Sequence, residues 1–302
     1  MTHFAADQGN WRADLLLLLV AVIWGFGFVA QRAAMEYVEP FTYNGIRFLL
    51  GGVCLIPFSR RKNQCGEPEE ETGITPLAAG LSAGLVLFGG AALQQCGIRF
   101  TTAGKAGFIT GMYVVLVPIL ALAIGRRTGP GTWLGAFVSL CGLYLLTGRR
   151  GLLLGRGDFL VLLSALFWAL HVLLLSILTP RIPPLRLARD QFFCCGFLSL
   201  AVALPIETTQ PGALVAAAVP ILFGGIVSVG IGYTLQVVAQ QRANPAHAAI
   251  ILSLETVFAV VGGRLFLGEK PGPGALVGCG LMLTGMIISQ IQDHLFRSRP
   301  GR

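Results

Sequence analysis

The residues able to do chemistry in this chain are few, and most stand inside long apolar runs. Glu255 lies near the middle of the run 245–266, and Arg47 lies a turn or two inside the run 41–58. A carboxylate placed there suits proton uptake or contact with a substrate. It equally suits holding helix ends together by accepting backbone or side-chain donors. Arg47 suits neutralising an anionic substrate group, pairing with a carboxylate such as Glu255, or reaching out to an interface. Gln94 and Gln236 offer donors and acceptors that can fix a polar or zwitterionic ligand, or that can bind helix to helix. Tyr233 stands three residues before Gln236, and Trp168 three before His171, so each pair shares one helical face. An aromatic ring beside an imidazole suits a wall that stacks flat or apolar substrates, and it also suits plain packing. Lys105 opens another apolar run, either at the mouth of a pathway or as an interface anchor.

The elements that must carry these residues follow from composition. Of 302 residues, 54% are hydrophobic and 12% charged. Soluble domains use about a quarter of their residues as charges, so an ordinary water-soluble fold, a disordered chain and a collagen-like fibre are excluded. Crossing a bilayer takes about 20 apolar residues. The runs fall near 15–34, 41–58, 76–97, 103–124, 131–147, 157–178, 189–206, 213–238, 245–266 and 273–291. The expectation is an all-α integral membrane protein of ten transmembrane helices. Residues 1–14 are expected to form a cytoplasmic tail, and residues 292–302 a second, basic one. The first run is long enough to stay as a membrane helix and shows no cleavage site for a signal peptide.

The net charge of +8 gathers in short clusters between runs, such as Arg60-Arg61-Lys62, Arg126-Arg127 and Arg149-Arg150. Nucleic-acid binding would need a basic face or stripe, so these clusters point to loops that fix topology. With the N-terminus inside, Arg12, Arg60, Arg61, Lys62, Arg126, Arg127, Arg181, Arg186, Arg242, Arg297, Arg299 and Arg302 fall in the cytoplasm. Arg99, Arg149, Arg150, Arg156 and Lys270 fall outside, so twelve cations stand against five, with the Arg149–Arg156 loop running against the trend. Both termini are therefore expected in the cytoplasm of an inner (plasma) membrane. The loop 59–75, with Glu67, Glu69, Glu70 and Glu71, is expected to be solvated. The seven cysteines show no metal or redox spacing, and no cofactor or metal is expected.

An internal repeat organises the chain. Displaced by 144 residues, Asp14 and Trp24 fall on Asp158 and Trp168, Arg47-Phe48 on Gln191-Phe192, and Gly52 on Gly196. At 142, Leu93-Gln94 falls on Leu235-Gln236 and Tyr113 on Glu255; at 143, Gly129-Pro130-Gly131 falls on Gly272-Pro273-Gly274. Gly135 and Gly142 fall likewise on Gly278 and Gly285. Two units, 15–147 and 157–291, of five spans each must enter the membrane in opposite directions, because five is odd. Inverted repeats of this kind build transporters around a midplane site. Gln191 becomes a candidate site residue because it holds the place of Arg47 in the second unit. Tyr113 joins the candidates as the counterpart of Glu255, expected on the opposite wall.

Small residues four apart (Gly80 and Gly84, Gly107 and Gly111, Gly131 and Gly135, Gly274 and Gly278) allow close helix contact. Gly224, Ser228, Gly232 and Gln236 make a similar stripe. The fifth- and tenth-span glycines suit a scaffold within one chain or a dimer face. Asp14 and Asp158 each open a helix, as capping residues do. Gly155-Arg156-Gly157-Asp158 matches the GxGD pattern of intramembrane aspartyl proteases. That chemistry needs a second carboxylate facing the first, and the counterpart Asp14 belongs to the opposite membrane face. Neither a P-loop lysine motif, nor HExxH, nor GxSxG occurs.

Trp24-Gly25-Phe26-Gly27-Phe28, Gly45-Ile46-Arg47-Phe48, Thr101-Thr102-Ala103-Gly104-Lys105-Ala106, Leu252-Ser253-Leu254-Glu255 and Gly268-Glu269 complete the picture. In this order and spacing, from about 15 to 291, the chain resembles the ten-helix EamA-type permeases of the drug/metabolite transporter superfamily. The resemblance implies secondary transport of small metabolites, often export of amino acids or related compounds, through a cavity between the repeats. The family often has proline after the ninth-span glutamate, where this chain has Thr256. The expected site comprises Arg47, Gln94, Tyr113, Trp168, His171, Gln191, Tyr233, Gln236 and Glu255. Expected partners are a small-molecule substrate, the lipid bilayer and a proton as candidate coupling ion, with no nucleic acid, in a monomer or weak homodimer. A multidrug or organic-cation permease and a nucleotide-sugar-like permease are the nearer alternatives. An intramembrane enzyme and a non-transporting scaffold are the distant ones.

Overall fold

Prolines and small polar residues set the helix starts. The computed structural model describes residues 11–62, 74–126, 128–147, 155–270, 272 and 274–297. The loop glutamates Glu67, Glu69, Glu70 and Glu71, Arg127, the Arg149-Arg150 cluster, residues 1–10 and residues 298–302 lie outside these residues. The chain begins with α1 (Trp11–Ala34), α2 (Pro40–Lys62) and α3 (Pro76–Ile98), the last capped by Thr75, whose side chain accepts the Ala78 N–H. A broken helix follows, α4 (Ala103–Gly111) and α5 (Tyr113–Ala123), interrupted at Met112. Next come α6 (Pro130–Thr147), α7 (Arg156–Leu178) and α8 (Pro184–Ile206). A composite segment then runs through α9 (Pro211–Ala216), α10 (Ala218–Leu222), a π-helical stretch Phe223–Tyr233 and α11 (Thr234–Gln240). A second broken helix, α12 (Pro245–Leu252) and α13 (Glu255–Phe266), precedes α14 (Ala275–Arg297).

Among the described residues every regular element is helical, and eight helical segments are long and apolar enough to cross a membrane. Two shorter apolar helices, Pro130–Leu145 and Gly280–Ser289, lie within α6 and α14. The seventh run starts earlier than expected, at Pro184, because proline is a ready first helical residue. Arg186 and Arg189 thus lie within the helix, where Asp190 pairs with both, at 4.0 and 2.6 Å. The eighth run is not one plain helix, since its glycines admit the π-helical stretch. The two interruptions, at Met112 and at Ser253-Leu254, fall at corresponding places of the two copies. The second occurs with Thr256, and not a proline, after Glu255.

Contacts between helix ends sort onto two faces. The face where α1 begins, here called proximal, holds Asp14 and His247, whose Oδ1 and Nε2 are 3.2 Å apart. Arg126 also donates to Ser176 there, at 2.8 Å, and Arg189 to Ser59 at 3.1 Å. On the opposite, distal face Glu207 accepts the Phe41 and Thr42 N–H groups at the start of α2, at 2.8 and 2.7 Å. Glu269 accepts those of Ala103 and Gly104 at the start of α4, at 2.7 and 3.1 Å. Each carboxylate thereby satisfies donors that a helix start leaves without partners.

Asp14 and Asp158 do not sit at N-cap positions. Helix α1 begins at Trp11, so Asp14 belongs to its first turn and is spent on His247. Asp158 is the third residue of α7 and reaches back to the Gly155 N–H at 2.7 Å. Its other partners are Thr101 Oγ1 at 2.8 Å and Lys105 Nζ at 2.7 Å. This carboxylate is therefore a tie between α4 and α7, and Lys105 belongs to an ion pair.

Helix α6 packs along α14, and α2 along α8, through glycines. A Cβ at Gly135 would come 2.6 Å from the Gly285 carbonyl oxygen, and one at Gly142 would come 2.6 Å from that of Gly278. These glycines therefore hold two helices of the same chain together, not two chains. Gly52 meets the Phe193 ring and Gly196 meets Leu49. In both seams each contact has its counterpart under the sequence repeat.

Candidate functional site

Both interrupted helices restart inside the membrane, and each restart presents a polar side chain. Tyr113 is the first residue of α5 and Glu255 the first of α13. A helix start favours a carboxylate, because its N–H dipoles point toward it. Tyr113 Oη donates to Glu255 Oε1 at 3.1 Å, so the two residues touch and do not stand on opposite walls. Both line a central cavity with Arg47, Gln94, Trp168, His171, Tyr233 and Gln236. Its volume of about 30 Å³ has room for about two water molecules, far less than a metabolite requires.

Arg47 is 2% exposed, so it does not reach an interface. Its Nε donates to Asn44 Oδ1 at 3.0 Å, and its guanidinium lies 5.1 and 4.8 Å from the ring centres of Tyr43 and Phe48. Among the described residues none of the ion pairs involves Arg47, and Glu255 does not pair with it. A buried cation held by an amide and two aromatic faces keeps donors for an anionic ligand.

The two glutamines at corresponding positions behave differently. Gln94 Oε1 accepts from Trp168 Nε1 at 2.8 Å and from Thr110 Oγ1 at 3.3 Å, while its Nε2 donates to Gln31 Oε1 at 2.9 Å. It ties α3 to α1, α4 and α7, with both amide atoms partnered. Gln236 Oε1 is buried and has no hydrogen-bond partner. His171 Nε2 bonds Gln191 Oε1 at 2.9 Å, and its Nδ1 has no partner. Gln191 supports the cavity wall through that bond and does not itself line the cavity.

Tyr233 is the centre of the aromatic wall. Its ring lies 4.5 Å from Trp24, 5.9 Å from Phe48, 6.1 Å from Trp168 and Phe192, and 6.2 Å from His171. Trp24 Nε1 donates to the Ser228 carbonyl in the π-helical stretch at 3.3 Å, an approach that Gly232 makes room for. Sequence reasoning missed Trp24, Phe28 and Gln31 as cavity residues. Their spacing of four and three places them on one face of α1, and that was the available signal.

The fold and the cavity can be set beside known proteins. The EamA-like transporter family matches twice, over residues 11–148 and 155–290. An uncharacterized transporter of Archaeoglobus fulgidus is 30% identical over 281 residues, covering 93% of this chain and 86% of that one. The uncharacterized inner membrane transporter YedA of Escherichia coli (strain K12) is 24% identical over 298 residues, covering 94% and 92%. A solved crystal structure superposes with a TM-score of 0.76 at 17% identity, over 95% of this chain and 99% of that one, which shows a shared fold.

Proposed function

This chain belongs to the EamA-like transporter family, and from that premise we propose that it exports amino acids or related small metabolites by alternating access, without ATP. The observation that carries the reading is one cavity holding a buried cation without a carboxylate partner, a buried carboxyl group and an aromatic wall. Arg47 would take the anionic group of the substrate, Glu255 its cationic group or a proton, and the rings around Tyr233 its apolar part. Trp168, His171 and Gln236 complete the lining, while Gln94, Tyr113 and Gln191 hold those groups in place. A nucleotide-sugar cargo would call for more cations than Arg47. An organic cation would call for a carboxylate without Tyr113.

Ten spans in two inverted five-helix units, 15–147 and 157–291, are part of this reading. Lys105 and Asp158 pair at the distal face, and the residues at the corresponding positions, His247 and Asp14, pair at the proximal one. The reciprocal glycine contacts of α6 with α14 and of α2 with α8 support the same two-fold relation. A cavity too small for a metabolite, tied at both ends, fits an occluded step of the cycle. We place the proximal face in the cytoplasm, following the distribution of Lys and Arg.

Counterflow of labelled amino acids in proteoliposomes tests the reading. Exchange without chemical change is expected, and Arg47→Gln should weaken apparent affinity by about 10–100-fold, the worth of a hydrogen bond to a charged group. Conversion of the substrate in detergent with no vectorial step would overturn it. Glu255→Gln should flatten the pH profile; an unchanged profile would make this carboxylate purely structural.

A further inference from the structure

Between the cavity and the proximal face, α7, α8 and α11 meet along a seam whose polar groups are incompletely satisfied. Buried side-chain atoms without a protein partner there are His171 Nδ1, Gln191 Nε2, Gln236 Oε1, Gln240 Oε1 and Thr179 Oγ1. They follow one another down the seam. Gln236 and Gln240 lie one turn apart on α11, and His171 and Thr179 are eight residues apart along α7, about 12 Å. On the distal side Gln94, the counterpart of Gln236, has partners for both amide atoms in Gln31, Thr110 and Trp168. Gln95 Oε1 has no partner there. Polar atoms buried at membrane depth in protein need water or a ligand, because neither lipid nor an apolar wall can serve them.

We infer that this seam is a hydrated passage joining the cavity to the proximal face and admitting water and small polar solutes. Two long side chains bridge it. Gln240 Nε2 donates to the Val172 carbonyl at 3.0 Å and Gln241 Nε2 to that of Thr179 at 3.2 Å. Val172 itself lines the cavity. Each bridge is a single neutral hydrogen bond from a rotatable amide, so side-chain rotation releases it at a cost of about 1 kcal/mol. Only the identity of the solute rests on the transport reading above; the passage itself follows from the polar atoms.

Side-resolved thiol labelling tests it in the full chain in proteoliposomes. A membrane-impermeant methanethiosulfonate is applied to one face at a time, and mass spectrometry reads each site. Arg242→Cys and Gln210→Cys mark the proximal and distal faces, and Ser139→Cys serves as a buried control between α6 and α14. Gln240→Cys is expected to label from the proximal face within about tenfold of the Arg242→Cys rate, and about 100-fold more slowly from the distal face. Thr179→Cys reads the mouth of the passage if Gln240→Cys does not fold. Both sites as inert as Ser139→Cys, or faster labelling from the distal face, would overturn the passage. Labelling needs no substrate, so a chain that labels as expected and carries no solute would sink the transport reading and leave the passage standing.

Discussion

The distal and proximal faces of the molecule use helix starts at equivalent positions of the sequence repeat and different chemistry. At the distal end Lys105 meets Asp158 at 2.7 Å, and Thr101 and the Gly155 N–H complete the carboxylate's partners. At the proximal end His247 meets Asp14 at 3.2 Å, and Ser289 Oγ lies 3.2 Å from the other ring nitrogen. Lysine is charged across the physiological range, whereas the imidazole attracts Asp14 as a cation only when protonated. Toward the cavity the oxygen of the distal glutamine, Gln94, has two partners and that of the proximal one, Gln236, has none. Equivalent positions of the sequence repeat therefore carry unequal chemistry at the two faces.

The largest test of that comparison is Lys105→Glu. It places a second carboxylate against Asp158, whose side chain is 6% exposed, and breaking a buried pair costs about 3–5 kcal/mol. At about 2–4 °C per kcal/mol, thermal unfolding in detergent should fall by about 10 °C. A fall of a degree or two would show that the distal closure does not depend on this pair.

The glutamines give the next contrast. Gln94→Leu leaves Trp168 Nε1, Thr110 Oγ1 and Gln31 Oε1 without their partner, and should cost about 2–3 kcal/mol of stability. Gln236→Leu removes an oxygen that bonds nothing in the protein, and should leave the unfolding temperature within about 2 °C. Equal effects would end the asymmetry. His247→Lys then makes the proximal pair resemble the distal one. Proximal labelling of Gln240→Cys should slow by about tenfold, equivalent to about 1.4 kcal/mol of added closure. An unchanged rate would show that His247 and Asp14 do not hold that end.

Much of this was legible in the sequence, for definite reasons. Apolar runs of span length reveal membrane helices, since lipid admits no other use of them. The repeat placed Trp24 beside Trp168 and Gln94 beside Gln236 as equivalents. It could not reveal that one glutamine has partners for both amide atoms and the other an unpaired oxygen, because that depends on Gln31 and Thr110 lying within reach. Asp14 and Asp158 read as caps because both precede apolar runs. Their partners, His247 and Lys105, are 233 and 53 residues away and become visible only once the helices pack. The contact of Tyr113 with Glu255 was hidden for the same reason: a sequence repeat identifies equivalents without stating whether they meet.

The smallest expected effect lies on the distal face itself and separates burial from charge. Arg99 Nη1 and Glu39 Oε2 are 2.9 Å apart, almost the distance of the Lys105 pair, and their side chains are 45% and 39% exposed. Water screens such a pair, and ordering two long side chains offsets most of its attraction, so it is worth under about 1 kcal/mol. Arg99→Gln should therefore shift thermal unfolding by no more than about 2 °C. That shift should vanish in molar salt, where exposed charges no longer feel one another. A loss comparable to that of Lys105→Glu would mean that the distal face is held by its charge as a whole. The contrast between the two ends would then concern net charge at each surface, and the choice of Lys105 over His247 would lose its significance.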